Sequence, residues 1–231
     1  MIGKFVGNIK AIFIFGIFTV YFYILLFTLL PFIETLFVVN GAVYWFVVGY
    51  CLFIPIFISA VLLVRKEGNR GFNEILSALG VRKLSKRDWK YAIAGLGLAF
   101  LGTGVVFGGA AIFGMELETT PWFMEMSSFV GIEQLLLLVW LPMFFFNIVG
   151  EELLWRGYVQ NRMRSKWLLC SLLWLGFHLP FGLDLMIMLI PVIIIIPYCF
   201  YKTQNTLVGI FIHGVFNGPV FIAIALGLLG K

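Results

Sequence analysis

The stretch LLLLVWLPMFFFNIVGEELLWRGYVQNRM, residues 135–163, decides how the rest of the chain is read. From Leu135 to Val149 only Asn147 is strongly polar, and then Glu151 and Glu152 stand side by side. About 20 apolar residues suffice to carry a helix across the hydrocarbon core of a bilayer. Carboxylates at the end of such a run are costly unless a partner or a function holds them there. The rest of the chain has to supply one or the other.

Composition places the chain in a membrane. Of its 231 residues, 62% are hydrophobic and 12% charged, where a soluble domain is about 45–50% apolar and about 25% charged. Mean hydropathy is +1.06. Cys51, Cys170 and Cys199 lie in apolar segments without the spacing of a metal site or a disulfide framework, and read as small buried hydrophobes. Lys4 and Lys10 precede a first apolar run of full span length with no small-residue cleavage site, so this run reads as a retained helix, not a signal peptide.

Seven apolar runs stand out, near 11–32, 37–64, 91–113, 133–155, 167–180, 185–201 and 205–229. The fifth is short and ends at Pro180, so it is expected to tilt or to stop before crossing. The expected fold is therefore all-α, a polytopic transmembrane bundle of about seven membrane helices plus a short interfacial helix. It is read as one integral membrane domain over residues 1–231, with the chemistry gathered in 133–230. No internal repeat of the transporter kind is evident.

The net charge of +5 is unevenly spread. Arg65, Lys66, Arg70, Arg82, Lys83, Lys86, Arg87 and Lys90 fall in the second connection. Arg156, Arg162, Arg164 and Lys166 fall in the fourth, and Lys202 in the sixth. The third, GMELETTPWFMEMSS, has Glu116, Glu118 and Glu125 and no basic residue, while the first and fifth carry only Glu34 and Asp184. This alternation follows the positive-inside rule with a cytoplasmic N-terminus. The basic surplus thus marks topology and affinity for anionic lipid, and no nucleic-acid surface is expected. Within the second connection, GFNEILSALGV (71–81) reads as an amphipathic helix on the membrane surface that anchors the loop.

Four ionisable residues sit where apolar ones belong: Glu151, Glu152 and the chain's two histidines, His178 and His213, with Asn147 and Asn217 nearby. In a helix Glu152 lies four residues before Arg156, on one face, so a helix-end ion pair accounts for these two. Glu151 turns about 100° away, towards the face of Asn147. His178 ends WLGFH, with Trp174 one turn before it, and His213 opens HGVFN, with Asn217 one turn after. A lone histidine on an apolar helix is more often a hydrogen-bonded core residue. Depth argues for more than that. Counted from the basic ends at about 1.5 Å per residue, Glu151 lies about 8 Å, His213 about 12 Å and His178 about 18 Å into the membrane. A carboxylate shielded from bulk water can act as general base towards water, an imidazole can share or orient the proton, and a second imidazole with an amide can stabilise an oxyanion. No serine or cysteine nucleophile motif accompanies the histidines, so attack by water suits the inventory better than a covalent mechanism.

These residues resemble a known family. EELLWRG looks like the EExxxR motif of the CAAX prenyl protease type II and bacteriocin-processing (CPBP) intramembrane proteases. WLGFH is similar to its motif of an aromatic four residues before a histidine, and HGVFN to its HxxxN/D motif. The resemblance covers the C-terminal half. It implies that Glu151 activates water, that His178 works with it, and that His213 and Asn217 stabilise the oxyanion. Glu152 and Arg156 would form a supporting pair, with Asn147 and Trp174 around the site. Trp174 departs from the phenylalanine common in the family, which affects the shape of the site. The resemblance leaves the metal open. Glu151, His178 and His213 could ligate zinc with a water, although no HExxH helix is present, and a metal-free glutamate–histidine site uses the same residues.

The implied activity is endoproteolysis of membrane-associated or prenylated peptides, of the CAAX type or in bacteriocin maturation or immunity. The expected partners are membrane lipids and a peptide or C-terminally lipidated protein. The expected location is an integral multi-pass position (the plasma membrane in a bacterium), with the site in the cytoplasmic half. Two other readings remain open: a non-catalytic scaffold or immunity protein on the same fold, and a proton-coupled transporter using the same residues as a relay. The asymmetric placement of the polar groups speaks against the transporter.

Overall fold

The computed structural model describes residues 7–124, 127–163 and 167–228, so Lys4, Glu125, Arg164 and Lys166 lie outside the described residues. Among the described residues the structure is helical, without strands. Six helices are long and apolar enough to cross a membrane: α1 (Asn8–Leu36), α2 (Gly41–Lys66), α4 (Lys86–Ile112), α5 (Gly131–Gln160), α7 (Leu183–Thr203) and α8 (Thr206–Ala225). Two short helices complete the set, α3 (Phe72–Ala78) and α6 (Trp167–Phe177). The protein is a polytopic membrane bundle. Side chains such as Phe13, Ile17, Ile93, Leu101 and Leu138 are more than half exposed. In water such a surface would be a liability, whereas hydrocarbon solvates it.

The fifth apolar run is the exception among the seven. Helix α6 has 11 residues, a rise of about 16 Å against a core about 30 Å thick. Pro180 stops it, because proline has no N–H to continue the ladder and disfavours helical backbone in the residue before it. A 3-10 turn, Leu179–Phe181, follows, and Gly182 at φ +100° turns the chain into α7.

Two helices depart from the regular α pattern. Within α1, residues Leu25–Leu29 widen into a π turn just ahead of Pro31, whose missing N–H a wider turn accommodates. Within α5, the α-helix ends at Glu151 and residues Glu152–Gln160 are π-helical, all nine of them buried. Arg156, counted above among the basic residues of a connection, is therefore inside the bundle and 0% exposed. It balances a buried carboxylate and contributes nothing to the sidedness of a loop.

The two ends of the bundle differ as the charge pattern predicts. At the basic end, a polar knot joins α4 to the α7–α8 turn. Ser85 caps α4, its hydroxyl accepting from the Asp88 N–H at 3.2 Å while Asp88 accepts from the Ser85 N–H at 2.9 Å. Arg82 pairs with Asp88 at 2.8 Å and also donates to the Thr203 carbonyl at 2.7 Å. Asn205 caps α8 through the Leu207 N–H and donates to Asp88 at 3.2 Å. Helix α3 is more than a surface anchor. Phe72 is exposed, but the helix end docks on the bundle: the Leu79 carbonyl accepts from the Thr206 hydroxyl at 2.6 Å and the Gly80 carbonyl from the Thr206 N–H at 3.0 Å. At the other end, Glu34, Glu118 and Asp184 line a wide vestibule of about 1620 Å³.

Candidate functional site

The site forms where α5, α6 and α8 meet. Closeness there is a matter of missing side chains. A Cβ added at Gly150 would sit 3.1 Å from the Phe53 carbonyl, and one at Gly157 would sit 2.6 Å from that of Leu79, so α5 lies against α2 and the end of α3. A Cβ at Gly209 would overlap the Glu152 carboxylate. Gly209 lies one turn before His213, so α8 presents an open backbone and then an imidazole to the same carboxylate.

Glu152 is fully buried and holds two partners. Its Oε1 lies 3.1 Å from Nδ1 of His213 and 3.5 Å from Nη2 of Arg156, and its Oε2 lies 3.3 Å from Nε of Arg156. The Oε2–Nε approach is a charge contact without hydrogen-bond alignment. The i, i+4 ion pair expected from EELLWR is thus present, deep in the protein and not at a helix end. Its contact with His213 was not foreseen. A carboxylate can only accept, so His213 donates from Nδ1, and its Nε2 is the atom left to face a ligand.

Glu151, 3% exposed, faces elsewhere, as two adjacent residues on a helix must. Its Oε2 accepts a 2.7 Å hydrogen bond from Nε1 of Trp174. One turn after that tryptophan, Nδ1 of His178 lies 2.8 Å from the Trp174 carbonyl. A carbonyl also only accepts, so Nδ1 carries the proton and Nε2 of a neutral His178 offers a lone pair. His178 stacks on Phe181 at 5.5 Å, and Trp174 meets the edges of both His178 and His213, at 5.3 and 5.4 Å. The guanidinium of Arg156 covers the indole at 3.8 Å, a cation–π contact out of reach of water. Four of the expected residues, Glu151, Arg156, His178 and His213, therefore surround a fifth, Trp174.

Asn147 and Asn217 are half-buried, and neither side chain has a hydrogen bond to another described residue. Asn217 lies one turn beyond His213 on α8. Gly209, Gly157 and Thr206 were missed from the sequence, since their role depends on which helix approaches them. The spacing of Gly209 from His213 was the one available clue.

Among the described residues no three His, Cys, Asp or Glu side chains are gathered as a metal site requires.

A multi-pass helical bundle that buries a Glu–Arg–His constellation at the meeting of three helices defines a class: membrane proteins with a polar centre inside the bundle. Residues 133–218, which include all three motifs, match the model of the family described as Type II CAAX prenyl endopeptidase Rce1-like. Over this segment, a little over a third of the chain, the sequence is similar to that family, in line with the resemblance drawn from EELLWRG, WLGFH and HGVFN. No curated protein and no solved structure matches the chain.

Proposed function

We propose that the protein hydrolyses a peptide bond of a membrane-associated or prenylated peptide, with water as the nucleophile and Glu151 as the base. The observation that carries this reading is the separation of duties between the adjacent glutamates. Glu152 is committed to Arg156 and His213, while Glu151 keeps one oxygen, Oε1, outside any hydrogen bond among the described residues. In this reading Oε1 takes a proton from water as the water oxygen attacks the carbonyl carbon, and Nε2 of His178 orients that water. The oxyanion receives hydrogen bonds from Nε2 of an imidazolium His213, whose charge the Glu152 carboxylate balances, and from the amide of Asn217. Glu151 then returns the proton to the leaving nitrogen as the C–N bond breaks. Every atom involved belongs to the chain, the substrate or water. The substrate is expected to reach the site from the cytoplasmic half of the membrane, the side of the basic connections.

The test is cleavage of internally quenched peptides, farnesylated and unlipidated, by protein purified in detergent. Glu151→Ala should reduce turnover by about 10²–10⁴-fold, the usual contribution of a general base. His213→Ala or Asn217→Ala should cost about 10²–10³-fold. Full activity in Glu151→Ala would overturn the assignment of the base. Cleavage of the unlipidated peptides alone would overturn the prenylated substrate class.

A further inference from the structure

Trp174 has a place in this site that its residue type alone makes possible. Its indole N–H is the only described donor to Glu151, at 2.7 Å, and its ring is 1% exposed. Four further contacts fix the ring and its backbone. Arg156 covers one face, the two imidazoles abut it edge to face, and its carbonyl holds Nδ1 of His178. A phenylalanine here could keep the packing, the cation contact and the carbonyl, but it has no N–H to offer.

We propose that Trp174 is a positioning residue for Glu151. Its indole N–H takes Oε2, which leaves Oε1 as the oxygen that meets water, while its backbone carbonyl sets the His178 tautomer. One residue thereby orients both halves of the water-activating pair. Two features favour this over simple core packing. The bond is short and charge-assisted, of the kind that gives orientation as well as energy. The indole is also covered by Arg156 and packed against both imidazoles, so the N–H has a fixed direction and the carboxylate must come to it. The proposal rests on the reading of Glu151 as the base.

The test removes the N–H and keeps the ring. Trp174→Phe is one variant. Replacement of Trp174 by benzothienylalanine, which has sulfur where the indole has N–H, is the second, and it keeps shape and volume if the smaller ring fails to fold. Both are assayed at full length in detergent with the farnesylated quenched peptide, alongside their melting temperatures. The expected result is a fall in kcat of about 10- to 100-fold, as for loss of an orienting partner, with KM within about twofold and unchanged melting for the isostere. Ultraviolet resonance Raman supplies a readout independent of activity. The Trp174 indole N–H band, isolated by subtracting the Trp174→Phe spectrum, should shift in Glu151→Ala. An isostere with undiminished kcat, or an N–H band that ignores Glu151→Ala, overturns the positioning role and leaves the protease reading standing. An inert wild-type protein overturns both.

Discussion

At the residue scale, the two adjacent glutamates show how a single step along a helix, about 100°, separates their partners. Glu152 faces α8, held between Arg156 of its own helix and His213 of α8, whereas Glu151 faces α6 and is only hydrogen-bonded. Gly209 makes the first arrangement possible. Gly209→Ala should therefore push the Glu152 carboxylate away from Arg156 and His213. Breaking a buried ion pair costs about 3–5 kcal/mol. The expected outcome is a large drop in the melting temperature of the detergent-solubilised protein, and an unchanged melt would show that Glu152 can move without cost. Arg156→Ala should likewise lower folded yield, since it strands a carboxylate that is 0% exposed. Lysine at the same position is a poor substitute, because an ammonium cannot lie flat on the Trp174 ring as a guanidinium does.

At the scale of elements, the π-helical register of Glu152–Gln160 and the docked end of α3 belong together. Gly157 lies against the Leu79 carbonyl, and Arg162, beyond the π segment, donates to the Gly157 carbonyl at 3.1 Å and pairs with Glu67 at 2.7 Å. Gly157→Ala should displace α3, an effect readable as faster protease cutting between residues 67 and 85. Protection equal to wild type would contradict the close packing. The start of α3 carries its own pH dependence. Glu74 accepts from the Gly71 and Arg70 N–H groups, and these bonds hold its carboxyl below the usual carboxylate range. Since the folded value is the lower one, this contribution is present above the unfolded value and disappears as pH falls through the folded one. A titration of Glu74 by NMR should show the depressed midpoint in wild type and a normal one in a variant in which the start of α3 is unfolded.

At the scale of the whole molecule, the basic and acidic connections segregate to opposite ends, and a cytoplasmic N-terminus is the orientation that fits them. An impermeant maleimide should label Glu118→Cys in intact cells and Lys83→Cys only after the membrane is opened. The reverse result would invert the topology and move the proposed site to the outer half.

What the sequence determined by itself was the solvent and the ingredients. Long apolar runs must become helices in lipid, since nothing else satisfies their backbone there, and the i, i+4 spacings of Glu152–Arg156, Trp174–His178 and His213–Asn217 put each pair on one face. The shortness of the fifth run was legible too, because Pro180 marks its end. Only the tertiary structure decided that Arg156 lies inside the bundle, that Glu152 reaches His213, and that Trp174 takes one oxygen of Glu151. Those are matters of how separate helices pack against one another. They depend on crossing geometry and on bare backbone at Gly150, Gly157 and Gly209, and a helical period carries no record of which neighbour will come to lie against a given face.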